Sequence, residues 1–373
     1  MTGGVTTPLA ERLRERVGRD GPVTFRDWMS AALYDEREGY YRRAGSERWG
    51  RGGDYRTSPE RGPLFAATFA RYFAGLFDEL GRPEPFHLVE AGGGAGQFAF
   101  GVLRTLERDF PAAFDALEYH FAEQGGDSLQ RAARLLAPYS GRVRAARLED
   151  LAGRLGAAVL FSNELLDAFP VHRVVVRGGR LRELLVGLDG GLRFRWVESE
   201  PSTPELAAHF EGLGVSLAEG QSAEVCLEVE GWMALAARVA GDGFVVSVDY
   251  GDDAEGLYRS PGRRDGTLRA FRHHAFAEDV LADPGEQDIT ATVNWTQVVA
   301  AGERAGLRQV ALERQDAFLL RVGLLEQLER ECSRARDGAE VAALRLGARE
   351  MVLPGGMAAH FQVLVQRREG GPP

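Results

Sequence analysis

The chain of 373 residues contains no lysine, and all 45 of its basic side chains are arginines. That absence excludes Schiff-base catalysis, a pyridoxal-phosphate anchor and the lysine of a phosphate-binding P-loop. Cysteine is nearly absent too. Cys226 and Cys332 lie far apart without metal-type spacing, which excludes a disulfide framework and implies free thiols in a reducing compartment. The seven histidines include the neighbours His273 and His274, with no companion cysteine and no H-E-x-x-H pattern, so no metal site is expected. No apolar run reaches the length of a membrane span, and the amino terminus shows no apolar leader; a cytoplasmic protein without membrane contact is expected. Positive charge is in deficit, 45 basic against 55 acidic residues for a net charge of -10. Such a balance argues against a phosphate-backbone binder, so nucleic acid is not an expected partner.

What is present has an order along the chain. Leu9, Leu13 and Val17 form one amphipathic stripe, and Thr24 reads as the N-cap of a helix whose apolar face is Phe25, Trp28, Met29, Ala32 and Leu33. A loop rich in glycine and aromatics follows. Next, Phe65, Phe69, Tyr72, Phe73, Leu76 and Leu80 recur at helical spacing, with Gly81 as the stop signal. From Phe86 onward strands alternate with helices, the signature of a mostly parallel sheet covered on both faces. The expected strands are Phe86 to Ala91, Leu117 to Ala122, Arg142 to Ala145, Ala157 to Ser162, Phe244 to Val248, Gln309 to Leu312 and a last one in "HFQVLVQ". Residues 171–220 break this rhythm with short β-type runs separated by Gly-Gly and Asp-Gly-Gly turns, an inserted antiparallel meander. The chain therefore divides into a helical extension with a lid loop (1–80), a Rossmann-like core (81–170), the meander (171–220) and the remainder of the core (221–373).

The stretch "LVEAGGGAGQFAF" ends a strand at Glu90 and then sets Gly92, Gly94 and Gly96 ahead of a helix whose apolar positions are Ala99, Val102, Leu103 and Leu106. Such bare backbone suits close approach by a ligand. "GAGQFA" fits the dinucleotide pattern, which leaves a nucleotide-dependent oxidoreductase as an alternative. However, that pattern would begin four residues beyond Glu90, and a carboxylate at the strand end suits the sulfonium and ammonium of S-adenosylmethionine better than an anionic pyrophosphate. Glu123 ends the next strand and is placed to accept hydrogen bonds from ribose hydroxyls. After the third strand Glu149 is a candidate for the adenine edge, while Asp150 reads as an N-cap.

"FSNELLDAFPVHRV" resembles the N-E-x-x-D-A-x-P-V segment of the MidA family of S-adenosylmethionine-dependent methyltransferases, through Asn163, Glu164, Asp167, Ala168, Pro170 and Val171. Further stretches are similar to that family in the same order: the helix ending in Gly39, Tyr40 and Tyr41, the loop "GGDYRTSP", "GTLR", "GEQDITATV" and "GGMAAHFQVLV". The glycine loop lacks the family's proline and basic residue, and Asn294 stands where an aspartate is common. The resemblance implies a class I methyltransferase fold, with Asn163 on the cofactor side. It also implies a protein-arginine N-methyltransferase linked to respiratory complex assembly, whose partner would be a protein such as an NADH dehydrogenase subunit; a non-catalytic scaffold is the other alternative. A guanidinium acceptor needs carboxylates to orient it. Glu164 and Asp167 are the candidates, sharing one face if their turn is helical. Asp54, Tyr55 and Thr57, with Gln287 and Asp288, are candidates for the substrate side of a closing lid. The meander could hold the protein partner or form a homodimer.

Overall fold

The structure, a computed structural model, describes residues 7–43, 63–272, 275–353 and 360–368. Its central sheet holds seven main strands: β1 (Phe86–Ala91), β2 (Leu117–Ala122), β3 (Val143–Ala145), β4 (Ala158–Asn163), β5 (Phe244–Asp252), β6 (Leu307–Arg314) and β7 (Phe361–Arg368). They run in the order β3-β2-β1-β4-β5-β7-β6, and β7 is antiparallel to both neighbours. The order reverses between β1 and β4, so a crevice opens at the carboxyl ends of those strands, where open α/β sheets bind their ligands. The fold is the expected Rossmann-like class I methyltransferase arrangement.

Helix α1 (Pro8–Asp20) buries Leu9, Leu13 and Val17, and α2 (Phe25–Tyr34) starts at Thr24, whose hydroxyl accepts from the Asp27 N–H at 3.0 Å. Replacing Thr24 by Ala should cost about 1 kcal/mol in chemical denaturation, the usual loss when an N-cap acceptor is removed. Helix α3 (Pro63–Glu79) follows the expected periodicity and packs Phe69, tilted, and Phe73, edge-on, against Phe161 of β4. Helix α4 (Gln97–Asp109) buries Ala99, Val102, Leu103 and Leu106 against the same face of the sheet.

The meander is present as strands His172–Arg177, Arg180–Leu188 and Phe194–Ser199, but it continues through a helix (Glu205–Leu213) into a fourth strand (Ser222–Val225) that pairs with the first. Its Val186 pairs with Val23, and Trp196 packs its ring 5.0 Å from Phe25. Hence α1 and α2 share one apolar core with the insertion, while α3 belongs to the core of the main sheet. The Arg/Glu-rich tail forms two helices, Leu324–Arg334 and Gly338–Val352. Among the described residues no helix is long and apolar enough to cross a membrane.

Candidate active site at the carboxyl edge of the sheet

At the end of β1 the chain takes left-handed backbone at Gly92 (φ 72°), Gly94 (φ 56°) and Gly96 (φ 86°) before α4 begins. A side chain on these residues would be strained by φ alone. At Gly92 a Cβ would also come within 2.9 Å of Leu165 Cδ1, and at neighbouring Gly93 it would collide with the ring of Phe121. The bareness of the loop therefore serves its packing against β2 and the residues after β4. Helix α4 starts without a side-chain cap, which leaves its first N–H groups available to an anionic group.

Glu90 is buried against Tyr119, whose hydroxyl donates to Glu90 Oε2 at 2.7 Å. Burial raises its pKa to about 8; the Tyr119 hydrogen bond opposes this and the nearby Glu123 charge adds to it. Glu123 braces two loops. Its Oε2 accepts from the Gly94 N–H at 2.9 Å, and its Oε1 accepts from the N–H groups of Gln124 and Gly125 at 2.8 and 2.6 Å. Three donors still leave a carboxylate capacity for one further hydrogen bond.

Asn163 ends β4 with its Nδ2 donating to Glu164 Oε1 at 3.0 Å, while its Oδ1 is buried without a hydrogen-bond partner among the described residues. Glu164 then adopts φ 52°, a left-handed conformation in a residue with a Cβ. Such strain costs on the order of 1–3 kcal/mol and persists only where the surroundings enforce it. Asp249 of β5 supplies the enforcement: its Oδ2 accepts from the N–H groups of Leu165, Leu166 and Asp167 at 3.1, 2.9 and 3.3 Å, and its Oδ1 from Tyr250 N–H at 2.9 Å. The segment is thus a turn wrapped around a buried carboxylate. The turn is not helical, so the condition under which Glu164 and Asp167 would share one helix face is not met.

That turn nevertheless brings the two acids into one neighbourhood. Asp167 is buried, and burial together with Asp249, Asp288 and Glu164 raises its pKa well above the usual carboxylate range. Burial likewise raises Asp249 to about 7, against the pull of its four N–H donors. Asp288 lies on the short strand Asp288–Thr290 and accepts from the Tyr41 hydroxyl at 2.6 Å. Tyr34 stacks on Tyr41 at 5.6 Å between ring centroids and donates to the Ala168 carbonyl at 2.8 Å. The Gly-Tyr-Tyr segment therefore lies over the crevice, and a Cβ at Gly125 would come within 2.8 Å of the Tyr41 carbonyl.

Other candidates are placed differently. Gln287 is buried and donates to the carbonyls of Asp279 and Ala282, so it holds its own loop; its Oε1 has no partner among the described residues. Glu149 is exposed on a short helix (Leu148–Leu151), 3.7 Å from Arg147, and is not tied to the other acids. Asp150 lies inside that helix, with Arg147 at the cap position, so the expected N-cap does not form. Asp54, Tyr55 and Thr57 lie outside the described residues. Asn294, where the family tends to have aspartate, caps the helix Trp295–Arg304 through the Gln297 N–H at 3.2 Å, a task an amide oxygen performs as well as a carboxylate. The sequence did not single out Asp249, Tyr34 or Tyr119.

Residues 68–312 match the model of a family described as "Putative S-adenosyl-L-methionine-dependent methyltransferase". The chain belongs to that family, the MidA methyltransferases. It is an S-adenosylmethionine-dependent methyltransferase. The Protein arginine methyltransferase NDUFAF7 homolog, mitochondrial, of Drosophila melanogaster is 28% identical, with 95% of this chain and 86% of the relative covered. Protein arginine methyltransferase NDUFAF7, mitochondrial, of Mus musculus is 26% identical over 98% of this chain and 86% of its own length. A Burkholderia thailandensis protein solved with bound S-adenosyl-homocysteine superposes with a TM-score of 0.85 at 26% identity, covering 97% of this chain and 93% of its own. The oxidoreductase and scaffold alternatives are not favoured. The cytoplasmic expectation is overturned as well: the animal relatives are named mitochondrial and point to that compartment. Free thiols suit the cytosol and the mitochondrial matrix equally, so composition could not distinguish the two.

The site of this MidA methyltransferase fits the cofactor on its own geometry. An uncapped helix start and the orphaned Asn163 Oδ1 offer contacts for a zwitterionic amino acid moiety, and Glu123 retains capacity for a hydroxyl donor.

Proposed function

We propose that this methyltransferase modifies an arginine side chain of a protein partner, and that Glu164 and Asp167 hold the acceptor guanidinium. The observation that carries the reading is the acid group beside the glycine loop, buried Asp167, Asp249 and Asp288 with half-buried Glu164. Neither Asp167 nor Asp249 forms an ion pair among the described residues. Carboxylates that resist ionisation when alone become good hosts once a guanidinium supplies the missing charge. The names of the relatives, protein arginine methyltransferases, support the same acceptor.

In this reading Glu90, Gly92, Gly94, Gly96, Glu123 and Asn163 hold S-adenosylmethionine, which supplies an electrophilic methyl group on sulfonium. The protein's own work is positioning and proton handling. Glu164 and Asp167 orient the guanidinium and draw its charge away from the attacking nitrogen. The Asp167 carboxylate would accept the proton that the guanidinium nitrogen must lose on methylation. Asp288 with Tyr41 forms the wall on the acceptor side.

Glu123→Ala should weaken cofactor binding by about 1–3 kcal/mol, the loss of charged hydrogen bonds plus the brace on Gly94, whereas Gly94→Val should abolish it through the left-handed backbone. Isothermal titration with S-adenosylhomocysteine measures both, and unchanged affinity in the pair would remove these residues from the cofactor site. The acceptor is tested by transferring a tritiated methyl group onto proteins of the source cell, then locating the label by mass spectrometry. An NADH dehydrogenase subunit labelled on arginine is the expected result; label on a lysine, a nucleic acid or a small molecule refutes the arginine reading. The meander is the proposed seat of the partner. Because it also buries α1 and α2, the test is charge reversal on its exposed Arg195 and Glu200 rather than deletion, with sedimentation reading whether a homodimer uses the surface instead.

A further inference from the structure

On the face of the sheet opposite Glu90, a second group of chemistry-bearing side chains converges. His87 of β1 lies in register with Glu118 of β2, and His120 follows Glu118 by two residues, so all three project from one face of two adjacent parallel strands. His87 Nδ1 is 3.1 Å from His120 Nε2 and 3.7 Å from Glu118 Oε2, and one ligand atom from each of the three lies within 4.8 Å of the others. Two imidazole nitrogens and a carboxylate oxygen bound at about 2.0–2.1 Å around a tetrahedral ion would stand about 3.3 Å apart, a small adjustment from these separations.

We propose that His87, Glu118 and His120 form a binding site for a first-row divalent metal ion, a clip between β1 and β2 on the side of the sheet away from the methyl-transfer site. The donor set, two histidines and one carboxylate, is one that zinc accepts. Without metal the His87 Nδ1 and His120 Nε2 atoms share one hydrogen bond, so a bound ion would replace it, with the shared proton moving to the other nitrogen of the same ring. His120 is buried while His87 and Glu118 are partly exposed, with side-chain exposures of 13% and 38%, which gives an ion a route in. Arg144, in register with His120 on β3, opposes a cation, but it is exposed and its charge is screened by solvent. The consequence of the clip is mechanical. The two strands it joins are those whose carboxyl ends carry Glu90 and Glu123.

The test uses the full chain stripped with a chelator and titrated with zinc, and separately with cobalt to follow its visible absorption. One ion per chain with micromolar or tighter affinity is expected, together with a rise in melting temperature of at least about 2 °C under saturating zinc. The double variant His87→Ala/Glu118→Ala should lose at least about tenfold in affinity, and the thermal shift with it, while His273→Ala/His274→Ala should retain both. If the double variant fails to fold, Glu118→Gln alone carries the comparison, since that side chain is the most exposed of the three. Absence of saturable one-to-one binding, equal affinity in the Glu118 variant, or loss of binding in the His273/His274 variant overturns the proposal.

Discussion

Asp167→Asn should lower the rate of methyl transfer by about 10²-fold or more while leaving the affinity for S-adenosylhomocysteine within about twofold. The substitution keeps shape and removes charge, and the lost interaction is one made with the acceptor and strengthened as its nitrogen becomes a nucleophile. Glu164→Gln should behave similarly. A pH signature accompanies the loss. Asp167 has its pKa raised well above the usual carboxylate range by burial and by Asp249, Asp288 and Glu164, so the ionised form needed to hold a guanidinium and take its proton accumulates only as pH rises. The wild-type rate should therefore climb with pH above the usual carboxylate range, and this limb should flatten in Asp167→Asn. Single-turnover kinetics at fixed cofactor saturation separates the effects. An equal loss of cofactor affinity would show that Asp167 belongs to the cofactor side of the crevice.

Glu90→Gln should stabilise the unliganded protein and at the same time weaken its hold on the cofactor. The carboxyl of Glu90 has its pKa raised by burial from 4.5 to about 8. A folded state that binds the proton more tightly than the unfolded chain is most stable below the unfolded pKa and loses that stability as pH rises toward the folded one. Over this window the loss is on the order of 3–5 kcal/mol. Glutamine does not ionise, so the variant should melt higher than wild type at pH 8 and equally at pH 4. Binding a cationic cofactor ought to drive the wild-type carboxyl to ionise, with release of up to about one proton at pH 7. Calorimetry in buffers of different ionisation enthalpy detects that proton, and its disappearance in Glu90→Gln assigns it. A proton release that survives the substitution would move the cation away from Glu90.

The parts of this molecule that were legible in the sequence are those governed by neighbours along the chain. β1 and β2 have the expected bounds, and Thr24 caps its helix, because alternation and capping are local properties. The glycine loop was legible for the same reason. Asp249 was not: it lies within a strand that runs to Asp252 but whose reading stopped at Val248, and its partners Leu165, Leu166 and Asp167 precede it by 82 to 84 residues. No periodicity reports a contact of that separation. For the same cause the turn from Glu164 to Asp167 was given a helical option, since the acceptor that captures its N–H groups was invisible. Tyr34 and Tyr41 could be read as aromatic packing, but their place over the crevice depends on how the amino-terminal helices ride on the insertion. The compartment was misread on different grounds, since nothing in composition separates two reducing environments.

Tyr41 touches both halves of the crevice, its carbonyl against Gly125 of the loop braced by Glu123 and its hydroxyl on Asp288. On the proposed reading, a residue shared in this way would make the two occupants of the crevice thermodynamically dependent. If the first to arrive settles Tyr41, the second encounters a wall already set, and by linkage each raises the affinity of the other by the same factor. In that case the methyl donor and a protein acceptor would be read together, and a chain holding the demethylated cofactor would retain its partner until one of the two departed and loosened the other.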